Sequence, residues 1–254
     1  MILKILMLTF IWASFAQGFV VLIDPGHGGE ELGAMKKVRK KIKGKVKSEM
    51  IYEKNLTLKL AKLVKSKLDP FYTTYLTRSF DRTVGLGERA QMAEDVKADL
   101  FISIHFNSSN HKDSNGFETY YLDNHADVAV KKVEKIENTF LKGAEKIVNQ
   151  ILIDLVISKT VTESKKLANS IHKYVGLKVE KKFKMKDRGV KPGLFYVLAL
   201  SKRPGILVEA GFMSNDKEIW KVQKKSFLDA YADAIASGVK DHLKGKKDKD
   251  LPLF

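Results

Sequence analysis

Cysteine is absent from the 254-residue chain. Its absence excludes disulfide scaffolds, Cys-ligated zinc, iron–sulfur clusters and thiol catalysis, so any metal must bind imidazole and carboxylate. Proline is scarce, at 5 residues, and aromatics make up 9%, which rules out collagen-like repeats. Acidic residues are outnumbered by lysine and arginine, 30 to 46, for a formal charge of +16. What remains is 44% hydrophobic and 30% charged, a composition that buries a sizeable core and fits neither global disorder nor a polytopic membrane protein. At roughly 150 residues per domain the length suits one large domain or a domain with an insertion.

The basic excess points to a polyanionic partner: nucleic acid, an anionic membrane or an anionic polymer. RNP, helix-turn-helix and zinc-finger patterns are missing, which argues against nucleic acid. Eight of the fifteen residues from Gly33 to Lys47 are basic and none is acidic. A solvated, mobile loop and a binding patch both fit this run.

Residues 1–16 carry one positive charge, an apolar run and a small-x-small ending at Ser14 and Ala16, the pattern of a secretory signal. The run is short for a membrane-spanning helix of about 20 residues. Cleavage after Ala16 would leave an exported chain starting at Gln17, destined for the periplasm or cell envelope.

Along the chain, Phe19 to Ile23 reads as a buried strand entering the glycine-rich turn Asp24-Pro25-Gly26-His27-Gly28-Gly29. Leu56, Leu60, Leu63, Val64 and Leu68 recur at helical spacing, Thr73 to Thr77 is a short strand, Leu86 to Val96 is again helical, and Leu100 to Phe106 is a third strand. This β, α, β, α, β order predicts an α/β domain: a mostly parallel twisted sheet covered by helices on both faces. Gly116 to Leu122 and Ile206 to Glu209 read as further strands, the former towards one side of the sheet. Between them, residues 126–158 place Val133, Ile136, Phe140, Ile147, Ile151 and Leu155 at helical intervals, and Leu167, Ile171, Tyr174 and Val175 mark another helix. Residues 246–254 form a charged tail, expected to fray.

In open α/β sheets, ligands bind beyond the carboxyl ends of the strands. His27, His105 and Glu209 each follow an apolar run at such an end, where an unpartnered polar group costs a few kcal/mol. Alone, His27 fits a backbone-bonded turn residue as well as a ligand, and His105 fits a satisfied core histidine. Together, two histidines and a carboxylate make a His₂Glu zinc site with a fourth position for water, and either Glu53 or Glu209 can be the third ligand.

Four separated stretches, Asp24-Pro25-Gly26-His27-Gly28-Gly29, Glu53-Lys54-Asn55-Leu56, Leu100 to Asn107 and Val208 to Asn215, together resemble the zinc-dependent N-acetylmuramoyl-L-alanine amidases of the AmiA, AmiB and AmiC type. Asp187-Arg188-Gly189-Val190-Lys191 followed by Leu194 to Leu198 resembles the family's segment before its last strand. The likeness covers nearly the whole of residues 17–245. It implies one Zn²⁺ held by His27, Glu53 and His105, with Glu209 as the catalytic acid/base, and hydrolysis of the amide between N-acetylmuramic acid and L-alanine in peptidoglycan during daughter-cell separation. Asn107 is a candidate donor to substrate or oxyanion, and also an ordinary turn former. Arg188 is a candidate for a stem-peptide carboxylate, or a surface ion pair. Glu137-Asn138 resembles the Glu-Asn pair of an inserted inhibitory helix, which makes Glu137 a candidate cap on the zinc, withdrawn by a protein activator.

Relatives with that insertion often carry a separate wall-targeting domain, so the lysine-rich stretch 36–47 is the natural substitute, at the border of the cleft. Rival readings are a zinc hydrolase acting on another peptidoglycan bond and a non-catalytic wall-binding protein.

Overall fold

The computed structural model describes residues 18–42, 45–123, 144–247 and 251–252. The expected signal, residues 1–16, and Glu137 lie outside the described residues. The elements in chain order are β1 (Val20–Pro25), β2 (Met35–Ile42), β3 (Lys45–Tyr52), α1 (Glu53–Leu68), β4 (Thr73–Leu76), α2 (Leu86–Asp95), β5 (Leu100–Asn107), β6 (Phe117–Leu122), α3 (Ala144–Val175), β7 (Asp187–Gly193), α4 (Tyr196–Ser201), β8 (Gly205–Phe212), α5 (Glu218–Val222) and α6 (Lys225–Leu243).

Six strands form one sheet in the order β4-β1-β5-β8-β6-β7. The first four run parallel, and β6 reverses against β8 with β7 parallel to it. The expected mixed α/β fold with a mostly parallel sheet is what forms. The strands Val20–Ile23, Leu100–Ile104 and Ile206–Val208, apolar but for Ser103, are buried on both faces, as a helix-covered parallel sheet requires. One core holds Val21, Ile23, Ile102, Ile104 and Val208 against α1 and α6. The other holds Leu22, Phe101 and Leu207 against α4 and the early turns of α3.

The strand expected at Gly116–Leu122 lies towards one side of the sheet as read, with only β7 beyond it. Other sequence expectations change. The two helices expected on either side of residue 158 are one helix, α3, of 32 residues. Its buried residues there are Ile153, Val156 and Ile157, while Ile151 and Leu155 are exposed, so its inner face is not the one the spacing suggested. The lysine-rich stretch is not a loop: β2 and β3 form a separate antiparallel hairpin, from Met35 opposite Tyr52 to Ile42 opposite Lys45. In the tail, Leu251 is buried among core residues.

Candidate active site

Three chain-distant residues converge above the carboxyl ends of β1 and β5. His27 follows β1 in a turn that only an unusual backbone allows: its φ is +61°, and Gly28 and Gly29 also have positive φ. His105 lies near the end of β5, and Glu53 is the first residue of α1. The histidine Nε2 of residue 27 is 3.2 Å from Glu53 Oε2, and His105 Nδ1 is 3.1 Å from Glu53 Oε1.

Backbone donors fix the carboxylate between the two rings. The Phe106 N–H donates to Oε1 at 2.9 Å and the Ala34 N–H to Oε2 at 2.8 Å. Burial pushes the Glu53 carboxyl up, but hydrogen bonds from His105 and His27, with their charge, outweigh it and hold the group below the usual carboxylate range. Two glycines shape the floor. A Cβ on Gly26 would strike the His105 ring, and one on Gly33 would lie 2.6 Å from both Glu53 Oε2 and His27 Cδ2.

Ligand atoms of His27, Glu53 and His105 all lie within 4.8 Å of one another. Two imidazole nitrogens and a carboxylate oxygen are the donor set of a three-ligand divalent-metal site, and this group can hold a metal. Of the two carboxylates the sequence left open, Glu53 is the one brought between the histidines.

Glu209 stands beside them. It pairs in register with His105 across β5 and β8, so both side chains leave the same face of the sheet. Immediately afterwards the register slips, with Asn107 opposite Phe212, and Gly211 takes φ +149° in the bulge. Asn107 sits at this bulge, its carbonyl accepting the Met213 N–H at 2.7 Å. Arg188 on β7 reaches back to the same row: its Nε donates to Glu118 on β6, and its guanidinium lies 5.2 Å from the Phe212 ring centroid.

Sequence reasoning missed the support beneath the turn. Asp24 is buried against Arg89, whose guanidinium also donates to the His27 carbonyl at 3.0 Å. Arg78, 1% exposed, donates to the carbonyls of Pro25, Gly26 and Lys54. Thr77 and Ser103 donate to Asp24 at 2.6 and 2.8 Å. The one signal was positional: Arg89 occupies the helical spacing of the inward Ala93. Glu118 was also missed. It is 2% exposed and takes hydrogen bonds from Arg188, Lys191 and the Tyr120 hydroxyl. Burial raises its pKa, but Lys191, Tyr120 and Arg188 together hold it below the usual range.

A match to the N-acetylmuramoyl-L-alanine amidase family spans residues 21–241. The chain belongs to the N-acetylmuramoyl-L-alanine amidase family. Among relatives, the amidase LytC of Bacillus subtilis (strain 168) is 31% identical over 222 residues, covering 87% of this chain and 35% of its own length. The amidase AmiA of Escherichia coli (strain K12) is 31% identical over 230 residues, covering 87% of this chain and 74% of its own. The chain thus spans about a third of LytC, and 52% of the similar AmiC of Escherichia coli O6:H1. The catalytic domain of the amidase CwlV from Bacillus (Paenibacillus) polymyxa var. colistinus superimposes with a TM-score of 0.63 at 32% identity, over 90% of this chain and 99% of that one. AmiC2 of Nostoc punctiforme gives 0.64 at 28% identity, over 89% and 97%. The match begins within β1 and ends within α6, so it takes in every element between them.

Proposed function

We propose that the chain is a zinc-dependent peptidoglycan hydrolase that cuts the amide joining N-acetylmuramic acid to L-alanine of the stem peptide. The observation that carries the reading is the register of β5 and β8, which sets Glu209 beside a His27–Glu53–His105 group able to hold a metal. Family membership supports the choice of bond.

Zinc held by these three residues would polarise the amide carbonyl and acidify a water. Glu209, not among the three, keeps its basicity; it takes the proton of the attacking water and delivers it to the departing alanine amine. Arg188 and Lys191 offer charge to a stem-peptide carboxylate, and Asn107 can donate to the developing oxyanion. Export to the periplasm or cell envelope, a role in daughter-cell separation and control by a protein activator belong to the same proposal. Among the described residues no helix is long and apolar enough to cross a membrane.

In the proposed resting state, Glu137 on the inserted segment would offer the metal a further carboxylate and keep substrate away. The reading is supported by the Glu137-Asn138 pair and by the early turns of α3, whose Ile153, Val156 and Ile157 pack in the core beneath the face that carries Glu209. Those core residues also limit the test, because a deletion reaching residue 158 would remove them. The variant to make lacks only residues 124–143.

The experiment measures bound metal and release of stem peptide with a free alanine amine from purified sacculi. The expected result is a quiet wild type, an active deletion variant, and a deletion variant carrying Glu209→Gln that keeps its metal but loses about 10²–10⁴ in rate. Release of glycan fragments or partial peptides instead would move the cleavage to another bond. Metal binding with no product from any variant would leave a wall-binding protein.

A further inference from the structure

The hairpin β2–β3 divides its side chains between two unlike faces. On the inner face Val38 and Ile51 join the core, Lys36 pairs with Asp216 and donates to the Ser214 carbonyl at 2.9 Å, and Lys40 pairs with Glu49. Lys40 also lies over the Trp220 ring at 5.5 Å. The one acidic residue of the hairpin is therefore spent inward. Strand alternation sends Met35, Lys37, Arg39 and Lys41 outward on β2, opposite Tyr52, Met50, Ser48 and Val46 on β3.

Among the described residues this outer face has no acid. Lys37, Arg39 and Lys41 are exposed and stand about 6.7 Å apart along the strand. Beside them runs a less polar row, with Val46 68% and Met50 40% exposed. The hairpin is also rooted in the metal group. Ala34, just before it, donates its N–H to Glu53 and accepts the Glu53 N–H, and Glu53 follows β3 directly.

We infer that the outer face of the hairpin is a docking strip for the anionic cell-wall polymer itself, holding glycan beside the cleft. The inference rests on the proposed substrate. A peptidoglycan strand presents carboxylates from its stem peptides and CH-rich sugar-ring faces, which match a row of cations beside a row of Val46 and Met50. An anionic membrane is the poorer match. Its interface favours tryptophan and tyrosine anchors, and the only aromatic on this face, Tyr52, is at the root, half-buried against the body.

The test replaces Lys37, Arg39 and Lys41 with glutamine in the full chain. Binding is followed by co-sedimentation with purified sacculi in the Glu209→Gln background, at low and high salt. Turnover is followed with Glu209 intact, in the chain lacking residues 124–143, on sacculi and on a small soluble muramyl peptide. Sacculus binding at low salt should fall about tenfold, with a much smaller loss at high salt. Turnover of sacculi should fall with it through KM, and turnover of the small substrate should be unchanged. Equal loss on both substrates, or equal loss of binding at both salts, overturns the inference. So does binding to anionic vesicles that depends on the three cations while sacculus binding does not. If the parent proteins cut neither substrate, the proposed activity fails, and co-sedimentation still decides whether the strip holds the wall.

Discussion

Glu118 stands directly opposite Glu209 in the antiparallel register of β6 and β8. The two carboxylates share a face of the sheet, and Glu118 draws in Arg188 and Lys191. Its negative charge offsets one of two cations beside the proposed base. Glu118→Gln leaves both cations uncompensated, which favours the ionised form of Glu209. The acid limb of the kcat/KM profile should move down by about half a pH unit. Arg188→Gln should move it up and raise KM for carboxylate-bearing substrates. Shifts in the same direction in both variants would refute this electrostatic coupling.

Gly33→Ala should cost the metal while leaving the fold. The added methyl would lie 2.6 Å from Glu53 Oε2, at a backbone φ of +65° that alanine adopts poorly. Metal affinity measured by competition with a chelating dye should drop at least about tenfold, as for other disturbed ligand supports. Gly87→Ala is the control: it lies in α2 with nothing within 4 Å of the new Cβ. It should bind metal normally.

Arg89→Met should destabilise the protein by about 3–5 kcal/mol, because Asp24 would be left buried and charged without its partner. Asp24 is 1% exposed, and although burial raises its carboxyl, the charge and hydrogen bonds of Arg89, Thr77 and Ser103 keep it below the usual range. Adding Asp24→Asn should recover part of the loss in urea midpoint. If the single variant unfolds at the wild-type midpoint, the ion pair does not hold the His27 turn.

His242 gives stability a pH dependence separate from catalysis. Burial, then the Lys246 charge, pushes its pKa down to about 4 from 6.5. Between those values the unfolded chain binds a proton that the folded chain refuses, so stability is fully present above pH 6.5 and falls as pH drops towards 4. The loss amounts to about 2 kcal/mol once solvent screening is allowed for. His242→Gln should therefore lose less melting temperature between pH 7.5 and pH 5 than the wild type does. An equal drop would show that His242 does not carry the effect.

The buried parallel strands were legible because their residues are almost all apolar, with Ser103 the exception, and each leads to the side chain that matters: His27, His105 or Glu209. The choice between Glu53 and Glu209 as the partner of the two histidines was not legible from the strand ends, since it depends on where α1 begins in space; only the family resemblance favoured Glu53. The hairpin was hidden by its lysines; only Val38 and Ile51 mark an inner face, too few to show alternation. The helix α6 went unread because alanines at positions 230, 232, 234 and 236 blur its apolar stripe. Nothing in the sequence singles out Arg78, and Arg89 has only its spacing from Ala93; carbonyl and carboxylate partners, most of them brought from β1 and its turn, make both interior residues.

The long helix α3 belongs to both layers of the fold. Ile153, Val156 and Ile157 lie in one core, and Leu167, Ala168 and Ile171 in the other. Between them, Ser164 accepts the Gly205 N–H at the start of β8, where the helix passes under the sheet. Farther on, α3 lies so close to α6 that any side chain at Gly238 would collide with the Ile171 backbone. Neither layer can melt while the other keeps this helix, so unfolding is a single cooperative event, and slow-exchanging amides in β1, β5 and β8 should open together.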